Sequence, residues 1–158
     1  MAGVRTAETV VEFGPGSGAI TRTLLEKLGP EATFFAIELN PDFVAVMKRR
    51  FPEVHVYEDS AANVHKYLKD LGRTSCECIV SGLPWAAFGE QLQDELLGAT
   101  FDALAPGGRF ATYTYIHSPR TPAGKRFKQK LEERFALVET SPIVWKNLPP
   151  ALVYGAKK

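Results

Sequence analysis

The run Glu12-Phe13-Gly14-Pro15-Gly16-Ser17-Gly18 joins a short apolar stretch, Thr9 to Phe13, to an amphipathic one that begins at once. Glycine at alternate positions lets the main chain turn sharply and approach a ligand with no Cβ in between. A helix starting near Gly18 would aim free N–H groups and a partial positive charge at an anionic group on that loop. Glu12 stands two residues before the first glycine, so a carboxylate faces the same ligand. Two more acids follow apolar runs. Glu38 closes the apolar run in "AIELN" 26 residues after Glu12, and Asp59, with Ser60 beside it, follows "VHVYE". An acid at Glu38 suits ribose hydroxyls. One at Asp59 suits an adenine exocyclic amine, or the N-cap of the next helix.

Two ligands compete for the loop. Gly14, Gly16 and Ala19 satisfy the dinucleotide pattern G-x-G-x-x-A, whose anion is a pyrophosphate. Glu12 would repel a pyrophosphate but attract a ligand bearing an ammonium or sulfonium. A chain of 158 residues also leaves no room for a dehydrogenase's substrate domain. S-adenosylmethionine meets both requirements, being cationic at sulfur and α-amine and anionic at one carboxylate.

The elements that would position these residues alternate. Strand-like runs at 9–13, 33–39, 54–58, 76–82 and 109–116 are separated by helical patterns at 18–28, from Asn40 to Phe51, at 61–71, at 88–104 and over "AGKRFKQKLEERF". Asn40 followed by Pro41 is an N-cap and first-turn signal. Such alternation implies one α/β domain over 1–158 with a mostly parallel sheet covered on both faces. The final pair, "ALVETSPIVW" and "ALVYGAKK", has only "KNLPP" between its members. That is too short for a parallel crossover and predicts an antiparallel hairpin at a sheet edge. Ligands of open sheets of this kind sit at the carboxyl ends of the strands.

Composition excludes several classes. Hydrophobic residues at 45% and charged residues at 23% are ordinary for a globular domain, unlike a disordered chain. No apolar run reaches the ~18 residues of a spanning helix, and no signal-peptide layout is present, which predicts a cytoplasmic protein. Cys76 and Cys78, two apart on a strand, are expected on one face as buried thiols. His55, His65 and His117 are too scattered for a metal site. Net charge is +1, yet residues 1–115 carry ten Lys/Arg against fifteen Asp/Glu while 116–158 carry nine against three. That basic final third fits an anionic partner, phosphate headgroups or nucleic acid, or a solvated helix face.

Together, the acid-x-Gly-x-Gly-x-Gly loop, the acids after strands two and three, the helix ending in "LAPGG" and the terminal hairpin resemble the class I S-adenosylmethionine-dependent methyltransferases. The resemblance implies a Rossmann-like, doubly wound, mostly parallel seven-stranded sheet. It also implies that Phe13, Ser17, Gly18, Leu39, Ser81 and Gly82 line the cofactor together with Glu12, Gly14, Gly16, Glu38, Asp59 and Ser60. Within the class, "VSGLPW", "YTYIHSPRTP" and "VWKNLPPALVY" are similar to the bacterial phospholipid N-methyltransferases of the PmtA type. Those enzymes methylate phosphatidylethanolamine stepwise toward phosphatidylcholine. The resemblance would put an amphipathic, membrane-lying segment before the first strand, which here starts after eight residues. The related rRNA adenine dimethylases share the first half, but carry an amide or acid where this chain has Ser81.

The expected acceptor site draws on the loops after strands four and five. Leu83 and Pro84 would form a wall, and Trp85, Tyr113 and Tyr115 would face a methylated ammonium through cation–π contact. Tyr115, nearest the strand's carboxyl end, is the leading catalytic candidate, and His117 is placed where a base would sit. Arg120, Lys125 and Arg126 would pair a lipid phosphate, with Trp145 beside them. The expected acceptor is phosphatidylethanolamine at an anionic membrane surface, with peripheral attachment at its inner face. Nucleic-acid adenine, or cofactor binding without turnover, are the alternatives.

Overall fold

Thr9–Phe13 (β1) and Thr33–Glu38 (β2) lie side by side and parallel in the computed structural model, which describes residues 3–158. His55–Glu58 (β3) adds outside β2, while Cys76–Ser81 (β4) and Leu104–Tyr115 (β5) extend the sheet from the other side of β1, all parallel. Leu137–Thr140 (β6) and Ala151–Lys157 (β7) complete a seven-stranded sheet of order β3-β2-β1-β4-β5-β7-β6. β7 runs antiparallel to both its neighbours. The expected α/β architecture and terminal antiparallel pair are therefore present. Strand order reverses between β1 and β4, so their carboxyl ends diverge and leave a crevice.

All five residues of β1 are buried, as a central parallel strand covered on both faces requires. Val11, Phe13, Phe35, Ile37, Ile79 and Phe110 belong to the largest core cluster, which also takes in Leu96, Leu97, Phe127 and Leu131. These last come from Glu90–Ala103 (α4) and Pro122–Arg134 (α5). Another cluster joins Ala36 to Val44, Met47 and Phe51, carried by Pro41–Arg50 (α2) and its C-cap. Ala19–Leu25 (α1) and Val64–Asp70 (α3) are the remaining helices, each only seven residues long.

Local chemistry sets the ends. Asn40 caps α2, its side chain accepting from the Asp42 N–H at 2.9 Å, with Pro41 at the first position. α1 stops at Leu25 rather than running to 28, so its terminal dipole is smaller than the sequence pattern suggests. α4 stops at Ala103, and "LAPGG" belongs to β5, where the pairing with β4 shifts register between Cys76 and Cys78. That irregularity accompanies a separation of the two thiols into different core clusters, in place of the shared face expected from their spacing. Burial raises the pKa of both, Cys78 to about 12, so neither is a reactive thiolate near neutral pH. β6 ends at Thr140, five residues before the expected strand end, because Pro142 has no N–H to continue the ladder. The connection is thus 141–150, ten residues instead of five, folded back so that Val144 bridges Ala151.

Replacing Asn40 by Ala removes the α2 cap. A loss of about 1 kcal/mol in chemical denaturation is expected.

Candidate active site

The glycine loop is held from three sides. Gly14 N–H donates to the Ile37 carbonyl (2.9 Å), Gly82 N–H to the Phe13 carbonyl (2.7 Å), and the Arg50 guanidinium to the Ser17 carbonyl. Gly14, Gly16 and Gly18 all have positive φ, 61°, 55° and 83°. Their reasons differ. A Cβ on Gly14 would lie 2.8 Å from Leu83 Cδ2, and one on Gly18 would meet the Phe51 ring and Met47 Sδ. A Cβ on Gly16 would meet nothing within 4 Å, because that position faces open space.

That space is a cavity of about 720 Å³ at the carboxyl ends of β1, β4 and β5. Gly14, Gly16, Ser17 and Glu38 bound one side; Ser81 through Pro84, Tyr113 and Tyr115 bound the other. A second cavity of about 270 Å³ shares Gly82, Leu83, Pro84, Tyr113 and Tyr115 with the first and extends to His117, Ser118 and Thr121. Leu83 and Pro84 therefore partition two chambers. Tyr113 and Tyr115 meet edge to face (5.9 Å, 77°), and Tyr115 lies parallel to the exposed His117 ring at 5.9 Å. Burial, then the neighbouring Tyr115, raises the Tyr113 pKa and keeps its phenol protonated.

The acids divide into three roles. Glu38 is 8% exposed and clamps the loop, Oε2 accepting from Gly16 N–H and Oε1 from Asn40 N–H, both at 3.0 Å. One lone pair on each oxygen remains for a ligand in the cavity it lines. Glu12 is fully buried beneath the loop, with Oε2 accepting from Thr21 (2.6 Å) and Oε1 without a partner. Burial raises its pKa to about 7, opposed by the Thr21 bond and reinforced by Glu38. Glu12 is not in the cavity wall. Asp59 does not line the cavity either: Oδ1 accepts from Ser60 N–H and Asn63, and Oδ2 from the Tyr67 hydroxyl at 2.7 Å. Those bonds, Tyr67's first, lower its pKa. Ser60 caps the following 3-10 turn, its side chain accepting from the Ala62 N–H.

Other expected positions are redistributed. Phe13 and Gly18 lie outside the cavity wall, Phe13 being fully buried, and Leu39 is 72% exposed outside it. Trp85 is 3% exposed, stacked on Phe127 at 4.7 Å with its indole N–H donating to Ser81 Oγ at 3.1 Å. Trp85 borders the smaller cavity, but its ring is packed mainly against the core, so Tyr113 and Tyr115 are the more open aromatic rings there. Arg126 donates to Gln93 at 3.3 Å instead of facing either chamber, and Arg120, though exposed, lines neither. Trp145 projects into solvent, while its neighbours Val144 and Asn147 line the large cavity. Sequence reasoning missed those two, as well as Phe43 and Thr112. Phe43 carried a signal: it lies beside the buried Val44–Met47 stripe of α2 and has no helix to cover it.

Comparison with known proteins bears on this geometry. Residues 10–108 match the family described as a methyltransferase domain. The ornithine lipid N-methyltransferase of Singulisphaera acidiphila is 30% identical over 151 residues, covering 94% of this chain and 74% of that protein. The chain belongs to the class I S-adenosylmethionine-dependent methyltransferases. A shorter match, 48% identical over 48 residues, is to the ribosomal RNA small subunit methyltransferase A of Thiobacillus denitrificans; it covers 30% of this chain and 18% of that one. The O-methyltransferase TomG of Streptomyces achromogenes, solved in complex with SAM, superposes with a TM-score of 0.71 at 18% identity over 99% of this chain and 76% of its own. It shows the same fold. The cofactor of the class, S-adenosylmethionine, fits the residues present: a loop whose Gly16 leaves space, Glu38 at the wall with free lone pairs, and an unpartnered carboxylate oxygen under the floor.

Three variants test this site. The folded Glu12 carboxyl binds its proton more tightly than the unfolded one, so its contribution to stability falls as pH rises from about 4.5 to about 7, by roughly 3 kcal/mol in all. Denaturation of Glu12→Gln across that window should lack this slope, and its affinity for S-adenosylhomocysteine should fall. Gly16→Ala should cost about 1–2 kcal/mol of left-handed strain and weaken cofactor binding in calorimetry. Gly18→Ala should lose more stability, since Phe51 and Met47 stand in the way.

Proposed function

We propose that this methyltransferase acts on the amine of a membrane-lipid headgroup, held in the smaller chamber against Tyr113 and Tyr115. The observation that carries the reading is the pair of chambers divided by Leu83 and Pro84, beside the terminal "VWKNLPPALVY" segment and the similarity to a lipid N-methyltransferase. Phosphatidylethanolamine, methylated stepwise toward phosphatidylcholine, is the headgroup the sequence resemblance favours. An ornithine-bearing lipid is the second reading, favoured by the relative from Singulisphaera acidiphila. Both present an amine.

S-adenosylmethionine supplies an electrophilic methyl group when bound. The protein's own part is placement. Main chain at Gly14 to Ser17 and the Glu38 carboxylate orient the donor side, and Tyr115 with Leu83 and Pro84 orients the acceptor nitrogen toward the gap between the chambers. Holding reacting atoms in line contributes roughly 7–11 kcal/mol at best. The tyrosine faces stabilise a nitrogen that gains positive charge as it is methylated, by about 0.5–2 kcal/mol. An ammonium has no lone pair, so a proton must leave first, and the exposed His117 beside Tyr115 is the residue positioned to take it.

A nucleobase acceptor is less well supported. The ring that would stack a flipped base at Trp85 is buried against Phe127, and Ser81 Oγ is occupied by the Leu83 N–H and the Trp85 indole.

With labelled S-adenosylmethionine, label should enter the lipid extract of vesicles containing phosphatidylethanolamine or ornithine lipid, and not RNA. Tyr115→Ala should reduce transfer on the order of a hundredfold, a larger loss than any in cofactor affinity. Label in RNA alone would sink the lipid reading.

A further inference from the structure

Among the described residues, eight large apolar side chains are exposed, and four of them, Ile143, Val144, Trp145 and Leu148, lie in the connection between β6 and β7. Leu148 is 95% and Trp145 70% exposed, on a loop whose Val144 and Asn147 border the large cavity. Leaving such side chains in water is costly. The loop is also built with few groups to desolvate. Pro142, Pro149 and Pro150 have no N–H. Val144 N–H donates to the Ala151 carbonyl (2.7 Å), Asn147 N–H to the Val144 carbonyl (3.3 Å), and the Asn147 amide to the Pro149 carbonyl (2.7 Å).

Charge on this loop and on the segment that leaves the sheet beside it has one sign. No Asp or Glu occurs in 116–131 or 140–158. Ile116 N–H donates to the Pro150 carbonyl, so the segment carrying Arg120 and Lys125 leaves the sheet beside the loop that carries Lys146. These three cations make no ion pair among the described residues, whereas Lys128, Lys130 and Arg134 further along α5 are paired with Glu132, Glu90 and Asp94. On the opposite side of the cavity the wall residue Phe43 is apolar and exposed, but Asp42 beside it suits an anionic surface less well.

We propose that the 143–148 tip is an interfacial anchor that inserts Trp145 and Leu148 into an anionic lipid bilayer, with Lys146, Arg120 and Lys125 at the headgroups, and so sets the cavity mouth on the membrane. The proposal rests on the lipid-acceptor reading above and names the face that meets the lipid. A bilayer is favoured over a second copy of the chain because four side chains on one loop fall short of the ~800 Å² per partner of a stable interface. Amphipathic anchors of this kind reach roughly 5–10 Å into the headgroup boundary.

The test is vesicle sedimentation of the full chain on phosphatidylcholine with and without phosphatidylglycerol, together with tryptophan emission on vesicles containing brominated lipid. Trp145 emission should be quenched. Leu148→Glu should lower partitioning on the order of tenfold, and Lys146→Glu should do so only on anionic vesicles. Both should keep wild-type affinity for S-adenosylhomocysteine. Wild-type partitioning by Leu148→Glu, unquenched Trp145, or dimerisation that Leu148→Glu abolishes with no vesicle binding would each overturn the anchor. Partitioning is read without turnover, so the two ideas fail separately. Methylation of detergent-dispersed amino-lipid with unchanged vesicle binding by Leu148→Glu keeps the acceptor and sinks the anchor. Loop-dependent vesicle binding with label only in RNA does the reverse.

Discussion

The close approach of two main chains organises this molecule. A Cβ on Gly82 would sit 2.5 Å from the Gly14 carbonyl oxygen, and the Gly82 N–H is bonded to the carbonyl of Phe13. That contact ties the loop after β1 to the loop after β4 at the point where the sheet changes direction. On one side of it Gly16 faces the larger cavity; on the other, Leu83 and Pro84 begin the wall of the smaller one. Any side chain at position 82 would push the two loops apart and merge or close the chambers.

Electrostatics follow from the same loop. Two carboxylates lie within its reach, one beneath it and one at its flank; burial, reinforced by the second carboxylate, raises the proton affinity of the deeper one. A buried acid with an unpartnered oxygen is a cost to folding. The surrounding core of β1, sealed on both faces, offsets it. A buried carboxyl whose pKa is raised to about 7 gives up its proton most readily when a cation sits above the glycine floor, which couples its charge to the ligand.

The order of elements, the central parallel strands and the terminal antiparallel pair were legible in the sequence because each rests on local signals: apolar runs, a cap at Asn40, a connection too short for a crossover. The glycine loop and Glu38 were legible for the same reason. Trp85 and Asp59 were not. An indole that stacks on a substrate and one that stacks on Phe127 look alike in one dimension, and the socket formed by Phe110 and Phe127 comes from elements distant in sequence. Asp59 is likewise an acid after a strand, but Tyr67 lies eight residues on, and only the fold brings its hydroxyl to the carboxylate. Val144 and Asn147 escaped notice because Pro142 ends β6 early and lets the chain fold back over the cavity.

β7 lies between β5 and β6, and among the described residues β6 pairs with no other strand. Ala151 and Val153 of β7 also border the larger cavity. Synthesis proceeds from the N-terminus, so the strand that closes this wall is the last of the described strands to leave the ribosome. Until then β5 presents an open edge and β6 has nothing to join. A nascent chain can assemble the glycine loop early, yet the larger cavity has no far wall until synthesis has passed β7.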